Sequence, residues 1–147
     1  MIRHSRPTPA AISIELEVPF HDVDLLQVVW HGHYLKYLEL GRTALLRSRG
    51  LDAREMLALG HRFLVAESHL RHLQALRYAD RARVTSWFLE VENRIRIDYQ
   101  IVNLTAGRVC TEASTVLVTT TDAGELCLET PPAVLQRLRA PGPGAAT

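Results

Sequence analysis

His21–Arg42, read as HDVDLLQVVWHGHYLKYLELGR, sets two aspartates and three histidines around the run Val28-Val29-Trp30, just ahead of a helical pattern. From Tyr34 onward, Tyr34, Leu38 and Leu45, with Leu35 and Leu46, recur at helical spacing, which predicts one long amphipathic helix. Gly50 supplies its stop, and Arg47 and Arg49 place cations in the last turn, where the helix dipole favours them. Gly41 lies inside the helix at a cost of about 1 kcal/mol relative to Ala. Its presence predicts that the helix approaches a sheet closely there.

The pattern on either side is that of strands. ISIELEVPF alternates as a strand over Ile12 to Phe20, with Pro19 near its end. Met1 to Ala11 reads as a loose lead-in, with Pro7 and Pro9 opposing regular structure. DAREMLALG predicts a short second helix, Asp52 capping and Gly60 closing. Then HRFLVAESHLRHLQAL, RVTSWFLEVEN, RIRIDYQIVNL and RVCTEASTVLVTTT read as strands, with turns at YADRA and DAGE. In the third of these, Ile95, Ile97, Tyr99 and Ile101 share one face, while Arg94, Arg96, Asp98 and Gln100 take the other. PPAVLQRLRA predicts a closing helix, and PGPGAAT a frayed tail. The expected organisation is a lead-in over 1–11, a single domain over 12–139 and a tail over 140–147. One long helix followed by a meander implies an α+β architecture, with an antiparallel sheet of about five strands wrapped around that helix. Such a sheet has an outer face and edges to cover, which makes association with a second copy the expected remedy.

Composition narrows the classes of function. The 147 residues suit one core, and 47% hydrophobic with 22% charged residues are values of a globular protein. A net charge of +1 offers no basis for nucleic-acid binding. Of the 17 basic residues only Lys36 is a lysine. No apolar run approaches the roughly 20 residues needed to cross a bilayer. The N-terminal basic residues are followed by no apolar signal-peptide core, so the expected location is the cytoplasm. Cys110 and Cys127 are too few and too far apart for a disulfide framework or a ligand pair, and are expected as small apolar strand residues.

Three chemistries compete for the helix mouth. His31 and His33 form an H-x-H pair with Glu39 downstream, a pattern that cupins use for metal. That pair converges only on a strand, where alternate side chains point the same way. Here a helix follows, so no metal is expected. In the acid/base reading, the helix N-terminus offers unpaired N–H groups and partial positive charge that polarise a carbonyl. Asp24, one short apolar loop earlier, supplies a carboxylate to attack it or to activate water. In the plainest reading Asp22 or Asp24 caps a turn, and His21, His31 and His33 are surface or satisfied polar residues. Spacing alone leaves these readings open.

The same residues resemble the signature of the hotdog-fold acyl-CoA thioesterases, specifically the 4-hydroxybenzoyl-CoA thioesterase group. Asp22, Asp24, Val28, Val29, Trp30, His31, Gly32, Tyr34 and Glu39 fill its places. RHLQALRYADRARVTSWFLEVE and TTTDAGELCLETPPAVLQRL are similar to later parts of the family, so the resemblance runs from about Ile12 to Leu138. VVWHGHYLKYLE looks closest to proteins that accompany aryl-polyene synthesis enzymes, whose substrate rides on an acyl carrier protein. The resemblance implies a hotdog fold and a homodimer or homotetramer with active sites at the subunit interface. It also implies hydrolysis of acyl-CoA or acyl-carrier-protein thioesters without a cofactor or metal. Asp24 matches the catalytic carboxylate and His31 a histidine used in some branches, while the N–H near His31 matches the carbonyl-polarising group. Asp22 matches a carboxylate of structural role. Val29, Trp30, Gly32, Tyr34 and Phe20 are the expected substrate contacts. Two departures stand out: the loop carries Leu26 and Gln27 where Gly is usual, and Phe20 replaces a tyrosine of one branch. Rival readings are a non-catalytic acyl-thioester or acyl-carrier-binding module and a hotdog acyl dehydratase, whose motifs are absent.

Overall fold

The computed structural model describes residues 4–140. The long helix α1 runs Tyr34–Arg47 and buries Tyr34, Tyr37, Leu38, Gly41 and Leu45, positions three and four apart on one face. Leu46 packs beside them, whereas Leu35, expected on the same face, is left exposed. A Cβ built on Gly41 would come within 2.7 Å of Val84 Cγ1, and Ser86 Oγ donates to the Gly41 carbonyl at 3.0 Å. Gly41 therefore sits where the helix backbone meets the sheet, the close approach that its position predicts.

The sheet is β1 (Ile12–Glu17), β2 (His61–His72), β3 (Arg81–Glu90), β4 (Ile95–Asn103), β5 (Arg108–Thr121) and β6 (Leu126–Cys127). All pairings are antiparallel, in the order β1-β3-β4-β5-β2, with β6 paired to β5. The sixth strand, only two residues long, is the difference from the expected five. β1 ends at Glu17 rather than Phe20, because Pro19 leads into a 3₁₀ turn over Phe20–Asp22. The short helix α2 (Ala53–Ala58) begins with a capping box of Asp52 and Glu55, and Gly60 follows it at φ +81°. The closing helix α3 (Pro132–Arg139) begins on its prolines. Cys110 lies buried on β5 and Cys127 half-buried on β6. This is a hotdog-like α+β fold, with α1 against an antiparallel sheet.

β4 shows how the two sheet faces are closed. Ile95, Ile97, Tyr99 and Ile101 are buried against α1, and Tyr99 OH bonds Thr115 Oγ1 at 2.8 Å. On the other face Asp98 is also buried, which the alternation alone does not predict. Ser5 explains it: its N–H and Oγ donate to Asp98 Oδ2 at 3.0 and 2.8 Å, and Trp87 Nε1 donates to Ser5 Oγ at 2.8 Å. Arg96 Nε donates to Asp98 Oδ1 at 3.1 Å. The lead-in has no helix or strand over residues 4–11, as expected, yet Ser5 is tied across the outer face. Met1 to Arg3 and all but Ala140 of the expected tail lie outside the described residues.

β2 is different. It is a 12-residue edge strand paired only to β5, with Leu64 and Val65 about half exposed. A groove of about 340 Å³ runs beside it, walled by α1, α2 and β2 residues including Leu46, Met56, Phe63 and Val65.

Candidate active site at the mouth of the central helix

Residues 22–30 form a tight hairpin. Val23 and Val29 make an antiparallel bridge, Asp24 N–H donates to Val28 O at 3.0 Å, and Gln27 N–H donates to Asp24 O at 2.9 Å. Asp24 Oδ1 accepts from Leu26 N–H at 2.8 Å, an Asx turn. Gln27 stands at φ +64°, the left-handed region that favours glycine. The loop thus takes a glycine-type conformation at Gln27 although glycine is missing, with Leu25 and Leu26 exposed at its tip.

The hairpin is pinned at its base. Val29 N–H donates to Leu76 O at 2.8 Å and Trp30 N–H to Asp22 O at 3.0 Å. A 3₁₀ turn over His31–His33 then runs into α1 without a side-chain cap. Among the described residues, the backbone N–H groups of His31 and Gly32 find no backbone acceptor. They form the electropositive end of the helix. The Trp30 ring lies over Gly32: a Cβ there would fall 2.1 Å from Trp30 Cζ3, so any larger residue would displace the half-exposed ring. Trp30 also packs against His31 and His33, with ring centroids at 5.0 and 5.2 Å.

Beside this helix end lies a cleft of about 310 Å³ lined by Val29, His31, Tyr34, His72, Leu73, Gln74 and Ala75. Tyr34 is buried, and its hydroxyl accepts from Leu76 N–H at 3.0 Å. Its ring meets that of His72 edge-on at 4.6 Å. His72, at the end of β2, has Nδ1 3.3 Å from Thr111 Oγ1. Burial, and then the neighbouring His31, hold His72 below the ordinary histidine pKa, so the neutral imidazole is favoured.

The expected site residues divide. Val29, His31 and Tyr34 line the cleft. Gly32 and Trp30 shape its edge at the helix end. Phe20 is exposed and packs edge-on against Tyr78 at 5.6 Å, away from the cleft-lining residues. Asp24 is half-buried and caps its own turn; within the single chain it does not line the cleft. His72 escaped the sequence reading because it lies 38 residues beyond Tyr34. Its one local signal is a histidine among apolar neighbours in RHLQAL. Among the described residues no three His, Cys, Asp or Glu side chains gather to hold a metal ion, and no helix is long and apolar enough to cross a membrane.

Asp22 is the buried carboxylate of the hairpin. Lys36 Nζ donates to its Oδ1 and Tyr37 OH to its Oδ2, both at 2.6 Å. His21 and His33 stand 3.7 and 3.9 Å from Oδ1. Burial works to raise the Asp22 pKa, but hydrogen bonds from Lys36 and Tyr37, with the Lys36 charge, hold it below the ordinary value. Burial and the Asp22 carboxylate raise that of Tyr37.

A helix cradled by an antiparallel sheet, with its uncapped end opening on an apolar-walled cleft, defines a hotdog-type protein with a candidate site at the helix mouth. The chain matches the Thioesterase-like superfamily over residues 18–138 and belongs to that family. A protein of Synechocystis sp. (strain ATCC 27184 / PCC 6803 / Kazusa) named "Putative esterase sll0410" is 34% identical over 128 residues, covering 85% of this chain and 76% of the relative. "Putative acyl-CoA thioesterase YneP" of Bacillus subtilis (strain 168) is 32% identical over 73 residues, 50% of this chain and 53% of that protein. In fold, the chain is similar to the 1,4-dihydroxy-2-naphthoyl-CoA thioesterase Slr0204 from Synechocystis. The TM-score is 0.76 at 18% identity, covering 87% of this chain and 94% of the other.

Proposed function

We propose that the protein hydrolyses acyl thioesters carried by CoA or by an acyl carrier protein, releasing a free acid and a thiol. The observation that carries this reading is the uncapped helix end, with the His31 and Gly32 N–H groups unpaired beside an apolar-walled cleft. A thioester carbonyl placed there meets donors fixed in advance of the reaction, the arrangement that stabilises a developing oxyanion. Membership of the superfamily and the names of the two relatives support the same chemistry.

In this reading Asp24 is the catalytic carboxylate. It either attacks the carbonyl carbon, expelling thiolate before water cleaves the acyl-enzyme anhydride, or takes a proton from the attacking water. His31 is the cleft histidine nearest the helix end, and Val29, Trp30, Gly32 and Tyr34 bound the acyl group. The active unit is a homodimer or a pair of dimers. A second chain completes the site from the β2 side, because His72 and Leu73 bring the cleft to the open edge of the sheet.

Asp24→Asn should lower thiol release from acyl-CoA and acyl-carrier substrates by at least about 100-fold, the order lost with an essential catalytic group. Sedimentation and the circular dichroism melt should be unchanged. Unaltered turnover would remove Asp24 from the mechanism. The Asx turn that occupies Asp24 Oδ1 favours a second reading, a module that binds acyl thioesters without cleaving them. Saturable binding of acyl-CoA with no thiol released would select it.

A further inference from the structure

Asp22 is 2% exposed and takes short hydrogen bonds from two consecutive residues of the first turn of α1. Its own carbonyl accepts the Trp30 N–H at the base of the hairpin. One residue therefore fastens the start of the hairpin, its return strand and the helix that follows. Between those attachment points lie both halves of the proposed chemistry, the Asp24 carboxylate and the free N–H groups of His31 and Gly32.

We infer that Asp22, Lys36 and Tyr37 form a positioning clamp that fixes the hairpin carrying Asp24 relative to the start of α1, so that they act on the rate of the reacting step and not on substrate affinity. The inference rests on the proposed role of Asp24. Two features point beyond fold stability. First, the Lys36 end of the pair is half exposed and screened by solvent, so the contact adds little to fold stability. Two short hydrogen bonds on one buried carboxylate instead fix a single geometry. Second, Lys36 is the only lysine in a chain that otherwise uses arginine. A compact ammonium on a flexible stem reaches a single carboxylate oxygen from a half-exposed position, as the 2.6 Å contact shows; a planar guanidinium fork favours two-point contact.

Groups facing Asp22 are His21 from its own turn, His33 from the turn before α1, and Lys36 and Tyr37 from α1. The adjoining cavity of about 400 Å³ adds Glu17 and Glu39 at its rim. Lys36→Met keeps the apolar stem and removes the ammonium, while Tyr37→Phe removes one hydroxyl.

The test is steady-state thiol release by the full chain from the best acyl-CoA substrate, below the melting temperature of every variant and normalised to folded protein. Lys36→Met should lower kcat about 10- to 30-fold and Tyr37→Phe about 3- to 10-fold, with KM within about threefold of wild type. In an Asp24→Asn background, Lys36→Met should leave the residual rate unchanged, because the clamp acts through Asp24. A kcat per folded molecule within twofold of wild type in both single variants would overturn the clamp. So would a rise in KM at constant kcat, or an undiminished Lys36→Met effect in the Asp24→Asn background. Failure of the underlying reading looks different: wild type would release no thiol, or Asp24→Asn would retain full activity.

Discussion

The middle of the sheet and its β2 edge are built on opposite terms. Around β3 and β4 the chain closes on itself: Ile95, Ile97, Tyr99 and Ile101 pack on α1, and Ser5 with Trp87 seals Asp98 on the far side. At β2 one edge pairs with β5 and the other is open over 12 residues, with Leu64 and Val65 half exposed. Open edges of this length are aggregation-prone unless charged, twisted or covered. The contrast teaches where the fold closes on itself and where it leaves backbone and apolar side chains open. The cleft at the helix mouth touches both regimes, since Val29 and Tyr34 belong to the core and His72 and Leu73 to the open edge.

Breaking the closed side should have the largest effect on stability. Leu45 is fully buried against the sheet, so Leu45→Ala should cost about 3 kcal/mol in urea unfolding. A loss below about 1 kcal/mol would mean that the helix face is packed less tightly than described. At the open edge, Val65→Lys should leave the unfolding free energy of the chain within about 0.5 kcal/mol, as for most surface substitutions. It should shift sedimentation toward monomer and lower thiol release in proportion; an unchanged assembly would show that β2 is not the edge a second copy covers. The smallest effect is expected at the hairpin joining the two regimes. Gln27→Gly relieves a left-handed conformation costing about 1–2 kcal/mol but adds unfolded-chain entropy worth about 0.5–1 kcal/mol. The net is a gain of roughly 0.5 kcal/mol with turnover retained, checked by melting and by the thiol assay. A clear destabilisation would mean that the Gln27 side chain holds the loop.

Legibility followed distance along the chain. Gly41 announced the close approach to Val84 because a helical glycine has few other uses, and Asp52 with Gly60 announced the second helix because cap and stop are local signals. Leu35 was misplaced because its spacing suits the helix face, yet it lines an open groove with Val65, Ser68 and Thr115 and stays half exposed. The Asp-x-Asp pair pointed to the hairpin before α1 but did not say which carboxylate is buried. Only the fold brings Lys36 and Tyr37 to Asp22 and leaves Asp24 to its own turn.

By itself the sequence determined the periodicities, the caps, the turns and the family signature, all of which depend on neighbours within a few residues. Tertiary structure decided that Ser5 reaches Asp98, that His72 meets Tyr34 and that β2 ends up at the open edge. Those contacts link positions tens of residues apart. Their energy depends on where the backbone carries each group, which no local pattern of apolar and charged residues encodes.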